Sequence, residues 1–126
     1  MSRNVIRAQP HHTVAHVRGL LERNKLHAVP VVNSDDQPVG IVSAVDLLAA
    51  NDGTPITKVM TDRVYTIPEY NSVHQAARLM RNQRIHHAVV THEKAIVGII
   101  SSFDLLRLVE DHRFVVKPGP TPKKRS

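Results

Sequence analysis

One phrase is written twice in this chain: Gly40-Ile41-Val42-Ser43-Ala44-Val45-Asp46-Leu47-Leu48, and again Gly98-Ile99-Ile100-Ser101-Ser102-Phe103-Asp104-Leu105-Leu106. Each copy is a short apolar run that passes through a serine into a segment carrying an aspartate three residues later. A strand leading into the first turn of a capped helix produces that pattern. A fold that holds the phrase must therefore supply two equivalent places for it, each with its own serine and aspartate.

The duplication extends along the chain. Met1-Ser2-Arg3-Asn4-Val5 answers to Met60-Thr61-Asp62-Arg63-Val64, Thr13-Val14 to Ser72-Val73, Leu20-Leu21 to Leu79-Met80, and Leu26-His27 to Ile85-His86. The offset is 59 as far as Asn33 and His92, and 58 from Gly40 and Gly98 onward. The lost residue falls between two polar loops, Asn33–Pro38 and His92–Lys94, where a surface turn tolerates a change of length. A repeat this short would be marginal if it had to bury a core alone, so the halves are expected to share one.

Composition narrows the possible chemistry. Of the 126 residues 41% are hydrophobic but only 3% aromatic, so a globular core must be aliphatic. Cysteine is absent, which removes disulfides and thiolate chemistry and fits a reducing compartment. No apolar run approaches the roughly 20 residues of a membrane helix, and the chain opens on its first repeat instead of a signal peptide, so a cytoplasmic location is expected. The net charge of +6 is concentrated late: Lys117, Lys123, Lys124 and Arg125 lie beyond Phe114 in a stretch free of acids. With three prolines and a glycine, residues 114–126 read as a flexible, solubilising basic tail. Charge alone would let that tail meet nucleic acid, but no nucleic-acid partner is expected.

Each repeat reads strand, helix, strand, strand, helix, an α+β arrangement. Residues 4–7 and 63–67 are the extended openings. Thr13 and Ser72 are helix caps, followed by apolar positions at helical spacing: Val14, Val17, Leu20 and Leu21, then Val73, Ala76, Ala77 and Met80. Ala28–Val32 with Val39–Val42, and Ala88–Thr91 with Ala95–Ile100, are expected to pair as antiparallel hairpins. Pro30 argues for an edge or irregular strand position, because it has no N–H to donate. Closing helices are expected over 44–50 and 102–110. The turn-rich Asn51-Asp52-Gly53-Thr54-Pro55 divides the chain into a first repeat, 1–54, and a second, 55–113.

Two ordered copies of this arrangement, with Leu26-His27-Ala28-Val29-Pro30-Val31-Val32 followed by Gly-Ile-Val-Ser-x-x-Asp, resemble a tandem pair of CBS (cystathionine-β-synthase-type) domains, a Bateman module. The resemblance covers nearly all of residues 1–113. It implies two pseudo-symmetric repeats sharing one core, with two clefts between them, and a further pairing into a homodimer. It also implies a non-catalytic module that binds an adenosine-containing ligand (AMP, ADP, ATP or similar) and relays its ligand state to a partner protein.

The residues admit a plainer role as well. Ser43 with Asp46, and Ser101 with Asp104, are near to capping boxes, and an acid in a first helical turn suits the helix dipole. In modules of the family the aspartate accepts from both ribose hydroxyls and the serine meets phosphate. A carboxylate has the acceptors for a vicinal diol, and a helix start favours an anion. By the same resemblance one cleft combines Ile6, Leu26, His27 and Ala28 with Ile99, Ser101 and Asp104. The other combines Tyr65, Ile85, His86 and His87 with Ile41, Ser43 and Asp46. His27 and His86 are the equivalent candidates for phosphate, whereas His87 replaces Ala28, so the two clefts should differ. The sequence departs from the family pattern at Val89, where the first copy has Pro30, and in having no Arg or Lys beside the motif histidines.

His11, His12 and His16 invite a metal reading, but no third-ligand pattern or cysteine supports it, and no metal is expected. No phosphate-binding glycine loop or nucleophile motif occurs, so no catalytic residue is assigned and no cofactor is required, with an adenine nucleotide as the expected regulatory ligand. The competing reading is a structural dimerisation module whose clefts hold no ligand.

Overall fold

A computed structural model describes residues 5–111. The expected flexible tail, and the first residue of the opening segment 4–7, lie outside that range. Helix α1 (Val14–Asn24) leads to β1 (Ala28–Val32) and β2 (Pro38–Ser43) in the first repeat. The second repeat runs β3 (Thr66–Pro68), α2 (Val73–Gln83), β4 (His87–His92), β5 (Ala95–Ser101) and α3 (Ser102–Asp111). Both early helices begin where a hydroxyl satisfies a free N–H. Thr13 accepts from the amide of His16, while Ser72 and Gln75 form a reciprocal capping box. Both also end on a left-handed residue that is not glycine, Lys25 at φ 54° and Arg84 at φ 55°. These occupy equivalent repeat positions, and both carry a cation.

Strands β1 and β2 pair antiparallel in register from Ala28 opposite Ser43 to Val31 opposite Gly40. In the second repeat β3 lies parallel to β4, which pairs antiparallel with β5 from His87 opposite Ser101. The registers slip at equivalent places, after Val31 and after Val90. The expected extended openings are unequal. The second becomes β3, centred later than 63–67, whereas the first makes a single parallel bridge between Ala8 and Val31. Pro30 explains the difference. The amide of Val89 donates to the carbonyl of Tyr65 at 2.9 Å, and Pro30 at the equivalent place has no proton to donate. On its other side Pro30 faces Ile41, whose N–H and C=O both turn away to pair with Thr61, so the hairpin rung survives the proline.

Packing divides into three apolar clusters. Behind the first sheet, α1 buries Val14, Val17 and Leu21 against Val29, Val31, Val42 and Ile56. Behind the second, α2 and α3 bury Ala76, Met80 and Leu105 with Ile67 and Ala88. Between the repeats lies the shared core: Ala28, Val32 and Ile41 from the first meet Val89 and Ile96 from the second, with Val5, Val64 and Ile99 partly buried at its margin. Burying such side chains contributes about 1.5–3 kcal/mol each, which a repeat on its own would partly forgo. Arg7 adds a polar tie across this seam: its Nη2 donates to the carbonyl of Ile96 at 3.3 Å, while its Nε lies 2.7 Å from Asp36 Oδ1 of its own repeat.

The closing helix expected over 44–50 is absent. Val45–Leu47 form a single 3-10 turn, whereas α3 at the equivalent place is a full α-helix. The cause is the return of the chain over the start of α1. The carbonyls of Asp52 and Thr54 accept from the amides of Ala15 and Val14, Arg18 pairs with Asp52, and Arg18 also holds the carbonyl of Leu47 at 3.0 Å. A continued α-helix would need that carbonyl and that path. The linker then packs on the first repeat, with Ile56 wholly buried and Thr61 bridged to Ile41.

Two clefts between the repeats form the candidate functional site

The repeated phrase ends in the same geometry in both copies. The amide of Ser43 donates to Asp46 Oδ2 at 2.8 Å, and the amide of Asp46 approaches Ser43 Oγ at 3.4 Å. The corresponding distances for Ser101 and Asp104 are 2.9 and 3.0 Å. Each pair is therefore a capping box, with Asp in place of the longer acid. Capping leaves chemistry to spare. Oδ1 of Asp46 carries no hydrogen bond among the described residues, and that of Asp104 has only Arg107 at 3.8 Å. An ionised carboxylate offers about four lone-pair directions, so one cap bond leaves acceptors for a diol.

Each aspartate faces a cleft against the other repeat. A cavity of about 450 Å³ joins Ile41, Ser43 and Asp46 to Ile85, His86 and His87, with Arg63 and Arg84 at its edge. A second cavity, of about 600 Å³, joins Leu26, His27 and Ala28 to Ile99, Ser101 and Asp104, with Lys25 at its edge. Each thus pairs apolar walls with a carboxylate and nearby cations. That combination suits a ligand with a flat apolar end, a diol and an anion.

Two of the expected residues stand back from these walls. Ile6 packs against the core of the first repeat. Tyr65 gives its carbonyl to Val89 and its hydroxyl to Gln83, at 2.9 Å each, so its role here is to hold the sheet and α2. The cations Lys25, Arg63 and Arg84 are the residues that the sequence reading passed over. The signal was available for two of them: Lys25 and Arg84 are equivalent, and each directly precedes the apolar–histidine pair.

The histidines show the strongest break of symmetry. His27, His86 and His87 line both cavities, whereas Ala28 lines only the second. His86 Nδ1 lies 3.4 Å from Ser102 Oγ at the start of α3. Burial lowers the pKa of half-buried His87, and the neighbouring His86 and His27 act in the same direction, against the opposing pull of Asp46 and Asp104. No cluster of three or more His, Cys, Asp or Glu among the described residues could hold a metal ion.

The sequence matches the CBS domain family twice, over residues 1–53 and 56–111, and the chain belongs to that family as a CBS domain pair. The CBS domain pair of protein MJ0100, in complex with 5-methylthioadenosine and S-adenosyl-L-methionine, is 27% identical and superposes with a TM-score of 0.78 over 90% of this chain and 94% of that one. A CBS-domain containing protein from Agrobacterium tumefaciens is 26% identical, with a TM-score of 0.73 over 83% and 84% of the two chains. Inosine-5'-monophosphate dehydrogenase of Halobacterium salinarum is 33% identical over 107 residues, which are 82% of this chain. The chain spans only about a fifth, 21%, of that enzyme's length, and the likeness lies in the CBS repeats. No helix among the described residues is long and apolar enough to cross a membrane.

Proposed function

We propose that this chain is a non-catalytic regulatory module that binds an adenosine-containing ligand in the clefts between its repeats and relays ligand state to a partner protein. The observation that carries the reading is the pair of capping-box aspartates, each with acceptor capacity beyond its cap bond and each lining a cavity walled in part by the other repeat. A base would lie between apolar side chains of both repeats, Ile41 with Ile85 or Leu26 with Ile99. The aspartate would accept from the ribose hydroxyls, and the helix start and edge cations would face phosphate or another charged group. The adenosine compounds bound to the pair in protein MJ0100 support the choice of ligand class. Because each cleft is built from both repeats, an occupant favours one relative orientation of the halves, which a partner can read. The cytoplasm, where adenine nucleotides are abundant, is the proposed setting.

We place a homodimer in the same account. Val45 and Leu48 are 73% and 81% exposed, and their repeat equivalents Phe103 and Leu106 are 67% and 66% exposed. Two symmetry-equivalent apolar patches of this kind suit association with a second copy. The same patches favour the alternative reading, a dimerisation module with empty clefts. A thermal-shift panel of AMP, ADP, ATP, S-adenosylmethionine and 5-methylthioadenosine, with GMP as control, separates the two. A ligand present at about 100 times its Kd stabilises by about 2.7 kcal/mol and raises Tm. No shift at millimolar concentration from any adenosine compound would leave the dimerisation reading.

A further inference from the structure

His87 is the one imidazole that faces both clefts and has no counterpart in the other repeat. Its equivalent is Ala28, so the pseudo-two-fold relation that matches His27 with His86 leaves a single half-buried histidine lining two cavities. It stands on β4 opposite Ser101 of β5, which places it between the two capping boxes. The groups facing it come from every neighbouring element. They are Asp46 on the 3-10 turn, Asp104 on α3, His27 ahead of β1 and His86 beside it. Arg63, Arg84 and Lys25 stand further out along the same cavities.

We infer that His87 makes both clefts select phosphorylated over unphosphorylated adenosine ligands, by taking up a proton from solvent when a phosphate settles beside it. The inference rests on the adenosine-binding reading above and adds its charge preference. With the clefts empty, burial and the two other histidines disfavour the imidazolium, and the half-buried ring is held neutral more strongly than a free histidine. A phosphate dianion arriving between these histidines reverses that balance, because an opposite charge within a few ångströms favours the protonated ring. Binding of a nucleotide then consumes a proton, and by linkage its affinity rises as pH falls. An uncharged ligand in the same cleft supplies no such pull. The window lies above pH 6.5, since the second ionisation of a phosphate falls near pKa 6.

The test is calorimetric titration of AMP and of adenosine into the full chain at pH 7, in two buffers of different ionisation enthalpy. For the wild type, AMP should bind with net proton uptake and adenosine with none, and AMP affinity should rise about threefold or more from pH 8 to pH 6.5. His87→Ala restores the residue that the first repeat already tolerates at this place, and His87→Gln keeps the bulk without the titration. Both variants should lose at least half of the proton uptake with AMP, and their affinity for AMP should fall by more than their affinity for adenosine. Equal proton uptake for AMP and adenosine, or undiminished uptake in both variants, would overturn the role of His87 while leaving adenosine binding intact. Failure of both compounds to bind would instead remove the adenosine reading, and this inference with it.

Discussion

Asp46 and Asp104 combine two duties that substitution can separate. Asparagine keeps an oxygen for the serine amide but gives up the charge and one acceptor, whereas alanine gives up the cap as well. Asp46→Ala is expected to cost about 1 kcal/mol of stability, because the Ser43 amide loses its acceptor, and Asp46→Asn less, because its side-chain oxygen can still accept. Both should weaken an adenosine ligand about tenfold or more, because a hydrogen bond to a charged acceptor is lost. Urea unfolding and titration of the same variants check the two effects separately. A second residue-scale prediction concerns His12, whose Nδ1 accepts from the amide of Gln9 and whose pKa is lowered below 6.5 by burial and by His16 and His11. Below pH 6.5 the unfolded chain takes up the proton first. The contribution of His12 is therefore complete above that pH and is lost as pH falls through the window beneath it. Urea unfolding between pH 7 and 5 should show a gentler decline for His12→Gln than for the wild type. At this scale the sequence was only half legible. Serine and aspartate at a fixed spacing announce a cap, but which oxygen stays free depends on the fold.

Helices α1 and α2 and both hairpins were readable because caps, periodicity and turn residues agreed locally. What could not be read were features decided by a neighbour. The closing helix of the first repeat is cut to one turn because Arg18 and the amides at the start of α1 capture the chain that follows it. The unequal opening strands trace to Pro30 against Val89, a difference visible in the sequence whose consequence depends on which side of the strand the missing N–H would face. Val89→Pro should therefore erode β3 and cost about 1–3 kcal/mol, since the carbonyl of Tyr65 loses its donor. Hydrogen exchange of the amides at Ile67 and Thr91 would report the loss, with protection falling towards that of the single bridge at Ala8.

Across the whole molecule, the duplication anticipated a shared apolar seam, and the family resemblance implied two clefts that should differ. It could not show that His87 serves both cavities instead of marking one, since that depends on how the two sheets meet. Arg7 is the polar tie at that meeting. Arg7→Met should lower stability by about 1–2 kcal/mol through the lost bonds to Ile96 and Asp36, measurable by urea unfolding. Association belongs to the same scale. Leu48→Glu with Leu106→Glu, exposed positions that line neither cleft, should turn a dimer into a monomer by sedimentation while leaving ligand binding in place.

An adenosine ligand seated in the clefts would lie against the repeated phrase. Amide chemical-shift mapping with AMP on the isotope-labelled chain tests that placement most directly. Perturbations should concentrate at Ser43–Asp46 with Ile85–His87, at Ser101–Asp104 with Leu26–Ala28, or at both sets, and should be lost in the Asp46→Ala/Asp104→Ala variant. Perturbations confined to residues outside these two sets, or none at saturating AMP, would contradict that placement.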